Sequence, residues 1–131
     1  MQRAHVPRLV EDGRVELVGL VDTAEEPARL LMERWGSEIP LYMDHKALLK
    51  GETLDGVIIS SPHSMHYEQA RASLKAGLHV LIEKPLTTAS RHAKSLIETA
   101  RKADRLLVVS YQRNFYPQHA YVREPVSYTH L

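Results

Sequence analysis

Short apolar runs alternate with amphipathic segments along most of the chain. The run from Val15 to Val21 is rich in β-branched residues and ends at Asp22, a pattern typical of a strand. Apolar residues then recur at helical spacing, at Ala28, Leu31, Met32 and Trp35. Further apolar runs predict strands over Leu41 to Met43, Leu54 to Ser60, Val80 to Ile82 and Leu106 to Tyr111.

Helices between successive strands require crossover connections, and crossover connections make the neighbouring strands parallel. We therefore expect an α/β fold, a Rossmann-type doubly wound parallel sheet. Ligands of such sheets bind beyond the carboxyl ends of the strands. Capping patterns predict where the helices begin and end, with candidate caps at Thr23 with Glu26, Asp44, Ser64, Thr87 or Thr88, Gly36 and Gly77.

Size and composition exclude several classes of protein. The 131 residues suffice for one domain, and 44% hydrophobic with 25% charged residues is typical of globular proteins. A net charge of +1 provides no broad positive field, so we expect no nucleic-acid partner. No apolar run approaches the roughly 20 residues that span a membrane. Without a signal-peptide pattern or any cysteine, the sequence favours a cytoplasmic protein with no membrane partner.

The opening of the chain differs from that of a complete dinucleotide-binding unit. Residues 4–10 predict a helix before any strand, and no GxGxxG turn occurs. In a complete unit this turn precedes the ribose-binding acidic residue by about 20 residues. Asp22 has the position of that acidic residue if the glycines came just before Met1. We therefore expect residues 1–124 to form a partial domain without its central strand, poorly folded and weak in dinucleotide binding when isolated.

Asp22 is the first candidate site residue. A carboxylate at a strand end can accept hydrogen bonds from both adenosine ribose hydroxyls, and its charge repels a 2′-phosphate. This interpretation favours NAD over NADP as the cofactor. The alternative is a carboxylate that only caps helix amides.

A second candidate segment follows the predicted strand that ends at Ser60. Small residues there let a ligand approach the backbone closely, and the segment contains Ser60, Ser61, Pro62, His63 and His66. The two histidines are three positions apart, but no third ligand stands nearby, so we expect no metal site. Helix capping or solvent exposure is the alternative for either histidine.

Glu83, Lys84 and Pro85 place a charged pair directly after an apolar strand. Burying such a pair is unfavourable without good partners or a function. A lysine beside an oxidised nicotinamide has its ammonium form disfavoured, which helps it accept a hydroxyl proton, and Glu83 would orient it. The alternative is a surface salt bridge at a strand end, with Pro85 as a breaker.

Taken together, these residues resemble the Gfo/Idh/MocA family of oxidoreductases, the group of glucose-fructose oxidoreductase and inositol dehydrogenase. The resemblance covers roughly residues 2–124. It is carried by Asp22 at its strand end and by three motifs, Ile58-Ile59-Ser60-Ser61-Pro62-His63-Ser64-Met65-His66, Ala76-Gly77-Leu78-His79-Val80-Leu81-Ile82-Glu83-Lys84-Pro85-Leu86 and Tyr111-Gln112-Arg113-Asn114-Phe115-Tyr116-Pro117.

The resemblance implies roles for these motifs. In such proteins the stretch matching Ser60 to His66 lies along the cofactor, and the Glu-Lys-Pro segment reaches the nicotinamide and the substrate. Lys84 is then the catalytic candidate, Pro85 follows a cis peptide bond, and Gln112 with Arg113 is a further cofactor contact. Position 63 more often holds Asn in the family, which weakens the expected side-chain contact of His63.

The resemblance also implies what the whole protein does. Members transfer a hydride between a sugar, polyol or related carbinol and NAD(P), using a second domain that also builds a homo-oligomer. No part of this chain corresponds to that domain, so we expect the chain alone to be inactive. Residues 125–131 resemble translated adapter sequence and are expected to lie outside the domain. A non-catalytic nucleotide-binding module or a plain structural domain is the alternative function.

Overall fold

The computed structural model describes residues 2–36, 38–111 and 116. Helices and strands alternate along this part of the chain. In order they are α1 (Gln2–Glu11), β1 (Leu20–Val21), α2 (Glu25–Trp35), β2 (Leu41–Tyr42), α3 (His45–Gly51), β3 (Gly56–Ile59), a 3₁₀ turn (His63–Met65), α4 (His66–Lys75), β4 (His79–Glu83), α5 (Ser90–Ala103) and β5 (Leu107–Ser110). Gln112, Arg113, the predicted boundary at residue 124 and the tail lie outside the described residues. None of the described helices combines the length and apolar character needed to cross a membrane.

All the described strand pairs are parallel, as predicted. β1 pairs with β2 in one sheet, and β3, β4 and β5 form a second sheet in that order. Among the described residues no ladder joins β1 to β3. A cavity of about 640 Å³ separates them, lined by apolar residues of both strands such as Val21 and Val57. Two half-sheets with a gap between them are what a doubly wound sheet without its central strand is expected to show.

The first strand is shorter than predicted. Leu20 and Val21 pair with Leu41 and Tyr42, whereas residues 15–19 are not in a strand. The predicted run Val15 to Val21 is therefore wrong in its first part. Its apolar character is real, but a strand needs a hydrogen-bonded neighbour, and β2 offers a partner for two residues only.

The core lies between the three-stranded sheet and the helices α4 and α5. Helix α4 contacts both β3 and β4, and α4 and α5 contact each other. The side chains that form this core are buried and almost all aliphatic: Ile59, Ala70, Leu74, Val80, Ile82, Leu96 and Ala100. This packing holds β3 and β4 in place up to their carboxyl ends, where the candidate segments begin.

Some predicted helix caps are present. The carboxylate of Asp44 accepts hydrogen bonds from the amides of Lys46 and Ala47 at the start of α3, at 2.7 and 3.2 Å. These two bonds, the one from Lys46 first, lower the pKa of Asp44. Gly36 and Gly77 both adopt positive φ after helices, the conformation that favours glycine at a helix end.

Other predicted caps are wrong. Helix α2 begins after Ala24 rather than Thr23, and its first amides receive no side-chain cap from the N-cap residue. Ser64 lies within the 3₁₀ turn, so α4 begins later, at His66. The N-cap of α5 is Ala89, and the hydroxyl of Thr87 donates to the Ala89 carbonyl instead of accepting from an amide. Several conformations of these polar segments compete locally, and spacing alone does not select among them.

Truncation of Ile82, which is fully buried at the centre of the three-stranded sheet, tests this account of the core. In the whole protein, Ile82→Ala is expected to lower the free energy of unfolding by about 2–5 kcal/mol, because it removes buried methyl groups and leaves a cavity. Urea denaturation measures the loss. Val108→Ala, at a side chain that is 48% exposed on β5, is the control and should change stability by under about 1 kcal/mol. Equal losses would contradict this placement of the core.

Candidate functional site

The candidate segments follow the carboxyl ends of three parallel strands. Asp22 follows β1, the segment from Ser60 to His63 follows β3, and Lys84 with Pro85 follows β4. Ile59, the last residue of β3, stands opposite Ile82 of β4, and β4 ends one residue later, at Glu83. The structure thus brings the segments after β3 and β4 to the same edge of one sheet.

Two of these segments line a common cavity. A cavity of about 560 Å³ is bordered by Asp22 and Thr23 on one side and by Ser60, Ser61 and Pro62 on the other. Apolar residues from the strands and from α3 complete its walls. A concave, mostly apolar space with a few convergent polar groups is the usual form of a small-ligand site.

Asp22 uses one carboxylate oxygen for a local hydrogen bond. Its Oδ1 accepts from the amide of Ala24 at 3.0 Å, which agrees with the simple capping interpretation. Within the described part of the chain, Oδ2 receives no hydrogen bond. The residue therefore combines an anchored carboxylate with an oxygen that remains available at the cavity wall.

Two buried polar atoms on the wall of this cavity have no hydrogen-bond partner among the described residues. They are Ser60 Oγ and His45 Nε2. A buried polar atom without a partner is unfavourable by about 1–3 kcal/mol, so each such atom in a folded protein calls for an explanation. Both atoms are buried, so a ligand in the cavity would reach them only after their side chains turn. Sequence reasoning missed His45, because no motif of the sequence singles it out.

Ser61 and His63 occupy different surroundings from Ser60. The hydroxyl of Ser61 donates to Oε1 of Gln69 on α4, which holds the segment against that helix. The exposed ring of His63 packs edge-on against the ring of His66, with centroids 5.5 Å apart. No cluster of three potential metal ligands occurs among the described residues.

His66 is fully buried at the first turn of α4. Its Nδ1 lies 2.9 Å from the carbonyl oxygen of Pro85, and its Nε2 lies 3.1 Å from that of Ser61. Both ring nitrogens therefore face backbone groups of this chain. The alternative interpretation, an exposed histidine or one that caps a helix, therefore does not apply to His66.

Glu83 and Lys84 differ sharply in exposure. Glu83, the last residue of β4, is 5% exposed, whereas Lys84 is exposed. Lys84 takes part in none of the described ion pairs, which are formed by other residues. The peptide bond between Lys84 and Pro85 is cis, as the resemblance implied. The lysine amine is thus accessible at the strand end, beside a buried carboxylate residue.

Comparison with known proteins identifies the family. Residues 1–111 match the family model of the GFO_IDH_MocA oxidoreductase family, described as an NAD-binding Rossmann fold. The match covers well over half of the chain and includes all the described strands.

Two curated relatives are sugar-related enzymes. The D-glucoside 3-dehydrogenase of Escherichia coli is 32% identical over 113 residues, covering 86% of this chain and 32% of that protein. The dTDP-3,4-didehydro-2,6-dideoxy-alpha-D-glucose 3-reductase of Actinomadura kijaniata is 33% identical over 122 residues, covering 93% of this chain and 36% of the relative. The chain thus spans about a third of the length of these relatives.

A solved structure agrees with the sequence relatives. A 3-ketoreductase from Actinomadura kijaniata, crystallised with NADP and TDP-benzene, superposes with a TM-score of 0.81 at 30% identity. The superposition covers 93% of this chain and 37% of the reductase. With its parallel strands, its shared strand-end cavity and its match to the family model, this chain belongs to the GFO_IDH_MocA oxidoreductase family and corresponds to that family's NAD-binding Rossmann fold.

Proposed function

We propose that the whole protein is a dehydrogenase that transfers a hydride between a sugar, polyol or related carbinol and a nicotinamide dinucleotide. The observation that carries this proposal is the convergence of Asp22 and the segment Ser60 to Pro62 on one cavity at the carboxyl edge of the sheet. Membership of the oxidoreductase family and the sugar-related names of two relatives support it. The relatives are about three times as long as this chain, so substrate-selecting residues and any homo-oligomer contacts are proposed to lie outside it.

The residues at the cavity fit a dinucleotide. Oδ2 of Asp22 can accept from a ribose hydroxyl while Oδ1 stays bonded to Ala24. Ser60 lines the same cavity, and its buried hydroxyl has no hydrogen-bond partner among the described residues. A free carboxylate oxygen repels a 2′-phosphate, so we favour NAD over NADP, although the similar ketoreductase structure contains NADP.

Lys84 is the proposed catalytic residue. When bound, the nicotinamide supplies the hydride-accepting carbon. As the carbinol C–H bond breaks, the Nζ of Lys84 accepts the hydroxyl proton, and in the reverse direction it returns that proton to the carbonyl oxygen. Lys84 is exposed directly after the end of β4, so its amine is accessible for this transfer. The segments predicted to lie along the cofactor include His63, His66, Gln112 and Arg113, and they remain part of this proposal.

Replacement of Lys84 tests the catalytic assignment. In the whole protein, Lys84→Ala is expected to lower kcat by about 10²–10⁴-fold, because the general acid-base group is lost. The dissociation constant for NAD, measured by fluorescence titration, should change little. Lys75→Ala removes another exposed lysine, at the end of α4, and should leave both values unchanged. An unaltered turnover of Lys84→Ala would refute the assignment and favour a nucleotide-binding module without catalysis.

Asp22→Asn tests the cofactor preference. The amide oxygen of Asn can keep the local bond to Ala24, but the negative charge toward the ribose is lost. Loss of a charged hydrogen bond of about 1.5–3 kcal/mol predicts roughly 10–100-fold weaker NAD binding, with NADP binding unchanged or improved. Titration with both dinucleotides measures the ratio. Glu26→Gln removes an exposed charge from the first turn of α2, and an equal effect there would show that only net charge matters.

A further inference from the structure

The proposed cofactor segments include one fully buried polar side chain, that of His66. His66 has no exposed surface, so a ligand in the cavity has no access to its ring. A histidine with this degree of burial requires internal hydrogen bonds, because an unpaired ring nitrogen would be strongly unfavourable. Its two ring nitrogens instead meet the two segments that frame the candidate site.

The two partners are both hydrogen-bond acceptors. The carbonyl of Pro85, at 2.9 Å from Nδ1, and the carbonyl of Ser61, at 3.1 Å from Nε2, have no proton to donate. The ring is therefore the donor wherever such a bond forms, and the tautomer decides which nitrogen carries the N–H.

The contacts of the His66 ring lie just beyond the end of the ladder between β3 and β4. The ladder between β3 and β4 ends with Ile59 opposite Ile82. Beyond this pair β3 has ended, whereas β4 continues for one residue to Glu83, which pairs with Ser110 of β5. The ring of His66 contacts Ser61, two residues after Ile59, and Pro85, three residues after Ile82. It therefore links the two segments just beyond the end of the backbone ladder between β3 and β4.

From this geometry we propose that His66 is a positioning residue, which fixes the distance between the cofactor segment Ser60 to His63 and the segment carrying Lys84. It does so without touching the dinucleotide or the substrate. The inference rests on the proposed function of those two segments, and it replaces the expected cofactor contact of His66 by an indirect role. If the link is lost, both segments become more mobile and Lys84 no longer lies at a fixed distance from the cavity.

The test uses two variants of the whole protein and one control. His66→Leu replaces the ring by an apolar side chain of similar size that has no hydrogen-bond donor. His66→Gln supplies an N–H group that can reach one of the two carbonyls. Leu74→Val removes one methylene from the buried face of the same helix and weakens the fold without touching either segment. Hydrogen exchange without dinucleotide, NAD affinity and kcat are measured for each at matched folded fraction.

The proposal predicts a specific pattern. In His66→Leu, the amides of segments 60–65 and 84–87 should both exchange faster, by about tenfold or more. The reason is that local opening of either segment no longer has to break a hydrogen bond to the histidine ring. A displacement of Lys84 by about 1 Å lowers kcat by up to roughly 10²-fold, with a smaller change in NAD affinity. His66→Gln should restore part of kcat and protect one of the two segments, whereas Leu74→Val should match the native protein in all three measurements.

Other results would overturn the proposal. Exchange and kcat in His66→Leu that equal those of Leu74→Val would show that the histidine only contributes to packing. Faster exchange in one segment alone would show that the ring does not link the two. If His66→Leu does not fold, His66→Gln decides, and native kcat with native exchange in both segments would then refute the role. Failure of the proposed function looks different: the native protein would neither bind NAD nor turn over, while exchange without dinucleotide would still report the link.

Discussion

The parallel register between β3 and β4 is the constraint on which the candidate site depends. Because Ile59 stands opposite Ile82, β3 and β4 end within one residue of each other at the same edge of the sheet. The core beneath them, formed with α4 and α5, makes a shift of that register unfavourable, since a slip of one residue would turn buried side chains toward the other face. The position of Lys84 relative to Ser60 is therefore decided mainly by aliphatic packing and backbone hydrogen bonds.

Much of this arrangement is predictable from local patterns. Apolar runs identified all five strands, and β3 and β4 are parallel neighbours as expected, so the residues that follow them lie at one edge. The Asp44 cap and the glycines at positions 36 and 77 were also predictable, because each depends on the conformational preference of one residue within its own turn. Parallel pairing followed from the alternation of helices and strands, which requires crossover connections.

The features that could not be predicted depend on contacts between distant segments. The length of β1 depends on which strand lies beside it, and the apolar run from Val15 to Val21 contains no information on that neighbour. The unpartnered atoms of His45 and Ser60 become notable only once a cavity places them on the same wall. His66 joins carbonyls 5 and 19 residues away, and a carbonyl leaves no trace in a sequence pattern because every residue has one.

The hydrogen bond between Asp22 and Ala24 has a consequence for the thermodynamics of ligand binding. A free aspartate side chain must give up rotational freedom when it accepts a bond from a ligand, and that entropy loss reduces the affinity. In this protein Oδ1 is already held by a backbone amide at 3.0 Å, so the orientation of the carboxylate is selected during folding. An incoming hydroxyl group then meets a preorganised acceptor, and more of the energy of its hydrogen bond remains as affinity.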